Sequence, residues 1–270
     1  MTKIRIFAAA VIAGFTLWTL FSARVPQLNN DLLLATNQNT DEQRSAVAEK
    51  VIPLANQIAA PLADKIKSVA APPPKESSKP RPVPFTAQAP FGDWQDPRQQ
   101  DGCEEASLVM AWHWLQNTTF TKTQALEEIL ALSKFEEETI GEWRSTNAAD
   151  TIRIFREYYH YDNIAVQYDI SSDDIKKSLE TGNLVLVPTD GRKLGNPYYR
   201  QPGPPEHMLV IFDYDQKTDE FITNDPGTRR GQNYRYKSNT VMNAIVDYPT
   251  GHREPNPNPQ TAMIVIAPKP

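Results

Sequence analysis

The spacing of apolar and polar residues divides this chain into three stretches. Ile6 to Ser22 is an apolar run without a charge, at the short end of what can span a bilayer. Behind it, Val47, Val51, Leu54 and Ile58 recur at near-helical spacing, but Pro53 and Pro61 break any long helix. Residues 71–82 are a proline-rich spacer, extended at roughly 3 Å per residue. From about residue 81 the periodicity becomes regular. Val83 to Gln88 reads as a short edge strand. Cys103 to Asn117 reads as a helix with Ala106, Met110, His113 and Trp114 on one face. Thr121 to Leu132 is a second helix and Asn147 to Tyr159 a third, with Thr121 or Thr123 and Asn147 as caps. Ile164 to Tyr168 is a strand, and Ser171 to Glu180 a helix that ends at Thr181-Gly182.

The period then changes from helical to strand-like. Leu184 to Val187 is a continuous apolar run of buried-strand type. His207 to Tyr214, Glu220 to Asn224 and Thr261 to Ala267 read as further strands. Helices first and a mostly antiparallel sheet afterwards predict an α+β domain of two lobes, helices on one side and sheet on the other.

The ends and the charge narrow the function. Lys3 and Arg5 precede the apolar run and only Arg24 follows it closely, which keeps the N-terminus cytoplasmic. A cut after Ala23 would put Phe21 where a signal peptide wants a small residue. We therefore expect residues 1–23 to be an uncleaved membrane anchor and residues 24–80 a stalk. Residues 81–270 form the domain, which lies outside the cytoplasmic membrane, or is secreted if the anchor is cut. A net charge of −5 offers no basic face for nucleic acid. There is no internal repeat and no phosphate-binding glycine loop. One cysteine and four scattered histidines give no zinc spacing. No metal and no organic cofactor is expected, and the oligomeric state is not readable.

Cys103 is the only cysteine in 270 residues, so it cannot close an intramolecular disulfide. It opens a helix, where the macrodipole favours thiolate. Among the histidines, His113 lies ten residues along the same helix, about 15 Å along the axis, too far to share a proton. His160 and His252 fall in surface contexts. His207 starts a strand whose return strand ends at Asn224-Asp225-Pro226-Gly227. Simple register about Gln216 sets His207 opposite Asp225, with Cβ atoms roughly 5 Å apart. Asp225 would then accept the Nδ1–H of His207 and leave the other nitrogen for a nucleophile. Asn224 would point to the opposite face. An oxyanion needs donors. The Cys103 backbone N–H is one, and Gln88, Gln95, Gln99 and Gln100 all precede it, so local sequence does not choose among them.

Five segments together carry a family resemblance: Val83-Pro-Phe-Thr-Ala-Gln88, Asp101-Gly-Cys-Glu-Glu-Ala-Ser107, Gly182-Asn-Leu-Val-Leu-Val187, His207-Met-Leu-Val-Ile211 and Asn224-Asp-Pro-Gly227. Residues 81 to 268 resemble the peptidase C39-like family, the bacteriocin-processing-type cysteine peptidases and their relatives in bacterial surface proteins. The resemblance implies a papain-like fold with an N-terminal helical lobe and a C-terminal antiparallel sheet. It also implies Cys103 as nucleophile, His207 as base, Asp225 as orienting acid and Gln88 in the oxyanion hole. Glu104 stands where bacteriocin-processing members often have glycine, and no transporter is fused. Both departures separate this chain from double-glycine leader substrates. The expected function is a membrane-anchored, outward-facing thiol peptidase acting on peptides or proteins. A non-catalytic surface binding module and an acyl-transfer enzyme with the same triad are the alternatives.

Overall fold

The structure is a computed structural model, and it describes residues 81–251, 256 and 259–268. The anchor and the stalk lie outside the described residues. Among the described residues no helix is long and apolar enough to cross a membrane.

A short helix α1 (Pro97–Gln100) leads into α2 (Cys103–Gln116), α3 (Lys122–Ile140) and α4 (Ala148–Tyr159). The caps explain the boundaries. Thr121 and Gln124 form a reciprocal capping box at the start of α3, and Asn147 accepts from the Asp150 amide to start α4. Helix α3 runs eight residues beyond the expected Leu132, because no breaker intervenes before Gly141 adopts the left-handed conformation. Next come β1 (Ile164–Tyr168), α5 (Ser172–Glu180) and β2 (Leu184–Thr189), followed by a short α6 (Gly191–Leu194). Strands β3 (His207–Asp215), β4 (Glu220–Asn224) and β5 (Tyr234–Lys237) form a meander, and α7 (Ser238–Ala244) and β6 (Ala262–Ile266) complete the domain. All pairings in the six-stranded sheet are antiparallel, in the order β1-β6-β2-β3-β4-β5.

The central strands are apolar on both faces because both faces are covered. Leu184, Leu186, Met208 and Val210 meet α2, α3 and α4, with Leu108, Ile129, Leu132 and Phe155 filling that layer. Val185, Val187, Leu209 and Ile211 point the other way, against Ile175, Leu194 and Val241 of α5, α6 and α7. The helical lobe expected from the sequence is thus the α2–α4 layer, and a second, smaller helical layer covers the opposite face. Full burial of such side chains is worth about 1.5–3 kcal/mol each, so this two-sided core holds β3 firmly under the site.

Two sequence expectations fail here for identifiable reasons. Residues 83–88 form no strand. Pro82 and Pro84 lack the amide that a ladder needs, and the segment is held instead by the Asn224 Nδ2, which donates to the carbonyls of Val83 and Pro84. Strand β5 and helix α7 were not expected, since their alternation is short and mostly polar.

Candidate active site

Three structural pieces meet at one cavity of about 1110 Å³, whose walls include Gln88, Cys103, His207 and Gly227. The first is the start of α2. Gly102 occupies the N-cap without a side-chain bond to the helix. A β-carbon on Gly102 would lie 2.6 Å from the Arg98 carbonyl oxygen, so glycine lets α1 turn directly into α2. The Cys103 N–H belongs to the first turn, where the helix offers no internal acceptor. It is therefore available to a carbonyl oxygen seated beside the thiol.

The second piece is the β3–β4 hairpin. Its register differs from the simple one. The turn closes at Asp215↔Glu220, and an irregularity between Ile211 and Asp213 moves the ladder to Val210↔Asn224. Extending that register sets Gly227, not Asp225, opposite His207, with Asp225 a diagonal neighbour on the same face. The pair forms nevertheless: His207 Nε2 lies 2.9 Å from Asp225 Oδ1, with the two side chains 1% and 0% exposed. The nitrogen involved is Nε2 rather than the expected Nδ1, so Nδ1 is the one left for a nucleophile. A β-carbon on Gly227 would sit 2.9 Å from His207 Cε1, and glycine there leaves the ring its space.

Asp225 is supplied with donors from several sides. Its Oδ2 accepts from Asn196 Nδ2 at 2.9 Å, Tyr199 hydroxyl at 2.7 Å and Tyr236 hydroxyl at 2.6 Å. Its Oδ1 also accepts the Gly227 amide at 3.0 Å. Burial alone would raise its pKa. The His207 charge and hydrogen bond, with the two tyrosine hydroxyls, outweigh that and hold it below the usual carboxylate range. Burial and the Asp225 charge push Tyr199 and Tyr236 upward, so both stay protonated donors. Asn196, Tyr199 and Tyr236 were not singled out from sequence. A tyrosine or asparagine in a loop carries no local sign of the acid it will meet.

The third piece is the 83–88 segment. The Gln88 backbone N–H donates to the Pro226 carbonyl at 2.9 Å, which ties it to the Asp-Pro-Gly turn. Its Nε2 donates to the Gln100 carbonyl at 2.6 Å. That fixes the amide beside the α2 start and leaves the second N–H for an oxyanion. Of the other upstream glutamines, Gln100 lines the cavity but lends its carbonyl to Gln88, Gln99 is buried and Gln95 is exposed. Asn224 serves the 83–84 carbonyls and the Asn233 amide rather than His207. His113 bonds Thr118 just beyond α2 and Glu128 on α3, and is no part of the cavity.

The thiol itself differs most from expectation. Cys103 is 4% exposed and donates to Glu104 Oε2 at 2.9 Å. Glu104 is also buried and accepts the Tyr248 hydroxyl on its other oxygen at 2.6 Å. Burial, then the Glu104 charge and hydrogen bond, then the Glu105 charge push the thiol pKa well above its ordinary value, against a smaller opposing effect of the Met208 N–H. The expected thiolate is therefore a protonated thiol in this state. A helix N-terminus favours the anion, but two buried acids in its first turn reverse the balance. Beneath them Glu136 is buried beside Glu105; burial and the charges of Glu136 and Glu104 raise Glu105, and burial and the Glu104 charge raise Glu136. Among the described residues no group of His, Cys, Asp and Glu is placed to hold a metal ion.

The sequence of residues 81–250 matches the model of the Peptidase_C39 like family. This is well over half of the chain, and the chain belongs to that family. One solved structure similar to it is that of a candidate C39-like peptidase from Bacillus anthracis. The two share 16% identity over 70% of this chain and 96% of the other, with a TM-score of 0.44. No curated protein matches the chain.

Proposed function

We propose that the protein is a papain-like cysteine peptidase that hydrolyses peptide bonds with Cys103, His207 and Asp225, aided by Gln88. The observation that carries this reading is the buried His207–Asp225 pair at the wall of a cavity that also reaches Cys103 and Gln88. A substrate carbonyl enters beside the Cys103 N–H and the Gln88 amide. The Cys103 proton passes to His207 Nδ1, and Sγ bonds the carbonyl carbon, so that the π electrons move to the oxygen. That oxyanion is held by the two N–H donors. His207 then returns the proton to the leaving amine as the C–N bond breaks. Water, deprotonated by His207, attacks the thioester and releases the acid and the free thiol. Asp225 orients the imidazole and stabilises the imidazolium each time it forms.

Peptides or proteins are the substrate class. In this reading the domain works outside the cytoplasmic membrane, tethered through residues 1–23 and the proline-rich stretch. A second reading, a non-catalytic binding module, is favoured by one observation: the thiol is buried and hydrogen-bonded to Glu104, surroundings that push its pKa well above the ordinary value. Labelling with an epoxide or acyloxymethyl ketone thiol probe, with mapping of the labelled peptide, separates the two. Labelling of Cys103 that His207→Ala abolishes supports the peptidase; inertness at every pH where the domain is folded favours the module. Product analysis with and without an added amine separates hydrolysis from acyl transfer.

A further inference from the structure

The cavity beside the thiol carries a charge pattern that triad chemistry does not require. Arg200, Arg229 and Arg230 all line it, in a chain whose net charge is −5. All three are exposed, and among the described residues none is ion-paired to a carboxylate. Of the other arginines among the described residues, Arg98, Arg144, Arg153, Arg192 and Arg235 pair with carboxylates, and Arg81 and Arg156 donate to backbone carbonyls. Among the described residues, the arginines whose guanidinium groups have neither a carboxylate nor a carbonyl acceptor are the three at this cavity.

Their placement is held by the fold. Arg229 and Arg230 follow Gly227, which passes against the His207 ring. The Arg230 guanidinium lies over the Tyr198 ring, 4.7 Å from its centroid, and stacking of this kind holds the planar group while leaving its N–H edge to a ligand. Arg229 lies near the turn before Trp94, another residue of the cavity lining: a β-carbon on Gly92 would lie 4.0 Å from its Nη1. Arg200 is next to Tyr199, which is tied to Asp225. The loop that carries Arg200 and the turn that carries Arg229 and Arg230 are thus both attached to the triad acid. Asp101 and Glu206 also line the cavity, but each is engaged by a contact of its own.

We infer that this arginine rim selects acidic peptides, seating carboxylates within a few residues of the attacked bond. Guanidinium groups offer forked N–H pairs that match a carboxylate, and such pairs are the strong, geometrically specific ones. An extended substrate advances about 3.3 Å per residue, so a rim that begins two residues from Gly227 addresses positions near the thiol rather than a remote surface. The inference rests on the peptidase reading for what happens after binding, but the binding itself does not require turnover.

The test uses labelled decapeptide pools, acetylated and amidated at their ends and otherwise randomised over uncharged residues. One pool carries two Asp, a second two Asn and a third two Lys. A fourth carries two Asn with a free C-terminal carboxylate. Binding is read by anisotropy on the Cys103→Ala protein, and cleavage by mass spectrometry on the native chain. We expect the Asp pool to bind at least tenfold tighter than the Asn pool, and the preference to shrink on raising the salt from 50 to 500 mM. Replacing the three arginines by Gln should bring the Asp-to-Asn ratio to about one. If the free-acid pool gains equally, the carboxylate recognised is the chain terminus, and the side-chain selection is wrong. Cleavage of all pools without charge preference overturns the rim and leaves the peptidase standing. Acid-selective binding without cleavage of any pool supports the rim and counts against the peptidase. Equal binding of Asp and Asn pools, or tighter binding of Lys, overturns the inference whatever is cleaved.

Discussion

Two acidic groups flank Cys103 and His207, and they behave in opposite ways. Asp225, behind His207, and Glu104, beside Cys103, are equally inaccessible, at 0% and 1% exposure. Burial pushes each toward the neutral form. Asp225 is nonetheless held below the ordinary carboxylate range, because His207, Asn196, Tyr199, Tyr236 and the Gly227 amide all point hydrogens at it. Glu104 has the thiol, the Tyr248 hydroxyl and its own amide, and the His207 charge helps it, yet burial still wins and its pKa is raised. Glu105 and Glu136, next to it, have no hydrogen-bond partner on any carboxylate oxygen and are raised further. Burial alone therefore says nothing about the charge of an acid. The count and kind of donors decide, and here they hold the acid under the histidine below the ordinary carboxylate range and leave the acids beside the thiol above it.

The largest effect expected from breaking this comparison lies on the Asp225 side. His207→Ala should lower peptide cleavage by at least about 1000-fold, and Asp225→Asn by about 100-fold or more. The double variant should cost little beyond the first change, since residues that act as a unit are non-additive. Rates on a cleaved peptide from the pools above provide the measurement, and near-additive losses would show that the pair does not act as one unit.

On the Glu104 side the direction reverses. Glu104→Gln removes the charge beside Sγ while keeping a group of the same shape. Iodoacetamide should then label Cys103 several-fold faster near neutral pH, and the midpoint of the pH–rate profile should fall. An unchanged midpoint would mean that burial, and not the Glu104 charge, keeps the thiol protonated. The same profile on the native protein should run above that of a free thiol, whose ordinary pKa is about 8.5.

The third prediction concerns stability. Glu105 and Glu136 are raised in the folded state, so at pH values above their unfolded pKa the fold binds more protons than the unfolded chain. Stability is then lost as pH rises from the ordinary carboxylate range up to the raised folded values. Thermal melts across that window should show the decline, and Glu136→Gln should flatten it. A slope unaltered by Glu136→Gln would assign the decline to other groups.

The smallest effect is expected at His113. His113→Ala loses bonds to Thr118 and Glu128 and should cost on the order of 1 kcal/mol, a melting shift of about 2–4 °C in a domain of this size. Cys103 labelling should be unaffected. If it changed in a folded protein, α2 would be transmitting more to its N-terminus than packing alone explains.

Much of this domain was legible in its residue pattern. Periods of 3.6 and 2 located α2, α4, α5 and most of the strands, because an apolar stripe has to be buried and its spacing names the element that buries it. The caps Thr121, Asn147 and Ser171 were readable for the same local reason: each satisfies an amide within three residues of itself. The lone cysteine before an apolar helix and the His207–Asp225 spacing across a hairpin pointed to one another, since both depend on short-range geometry. What the sequence could not determine were contacts between residues far apart in the chain. Glu104 meets Tyr248 across 144 positions, and Asp225 gathers Asn196 and Tyr199 from the loop before β3 and Tyr236 from β5. The hairpin irregularity that makes His207 and Asp225 diagonal, and the ring orientation that turns Nε2 rather than Nδ1 toward the acid, carry no local sign in the sequence. Titration state follows these long-range contacts, because an acid in a low-dielectric interior responds to whichever hydrogens and charges surround it. The sequence by itself determined which residues could do chemistry, and only the tertiary structure decided that the histidine's acid is charged while the cysteine's neighbours keep its proton in place.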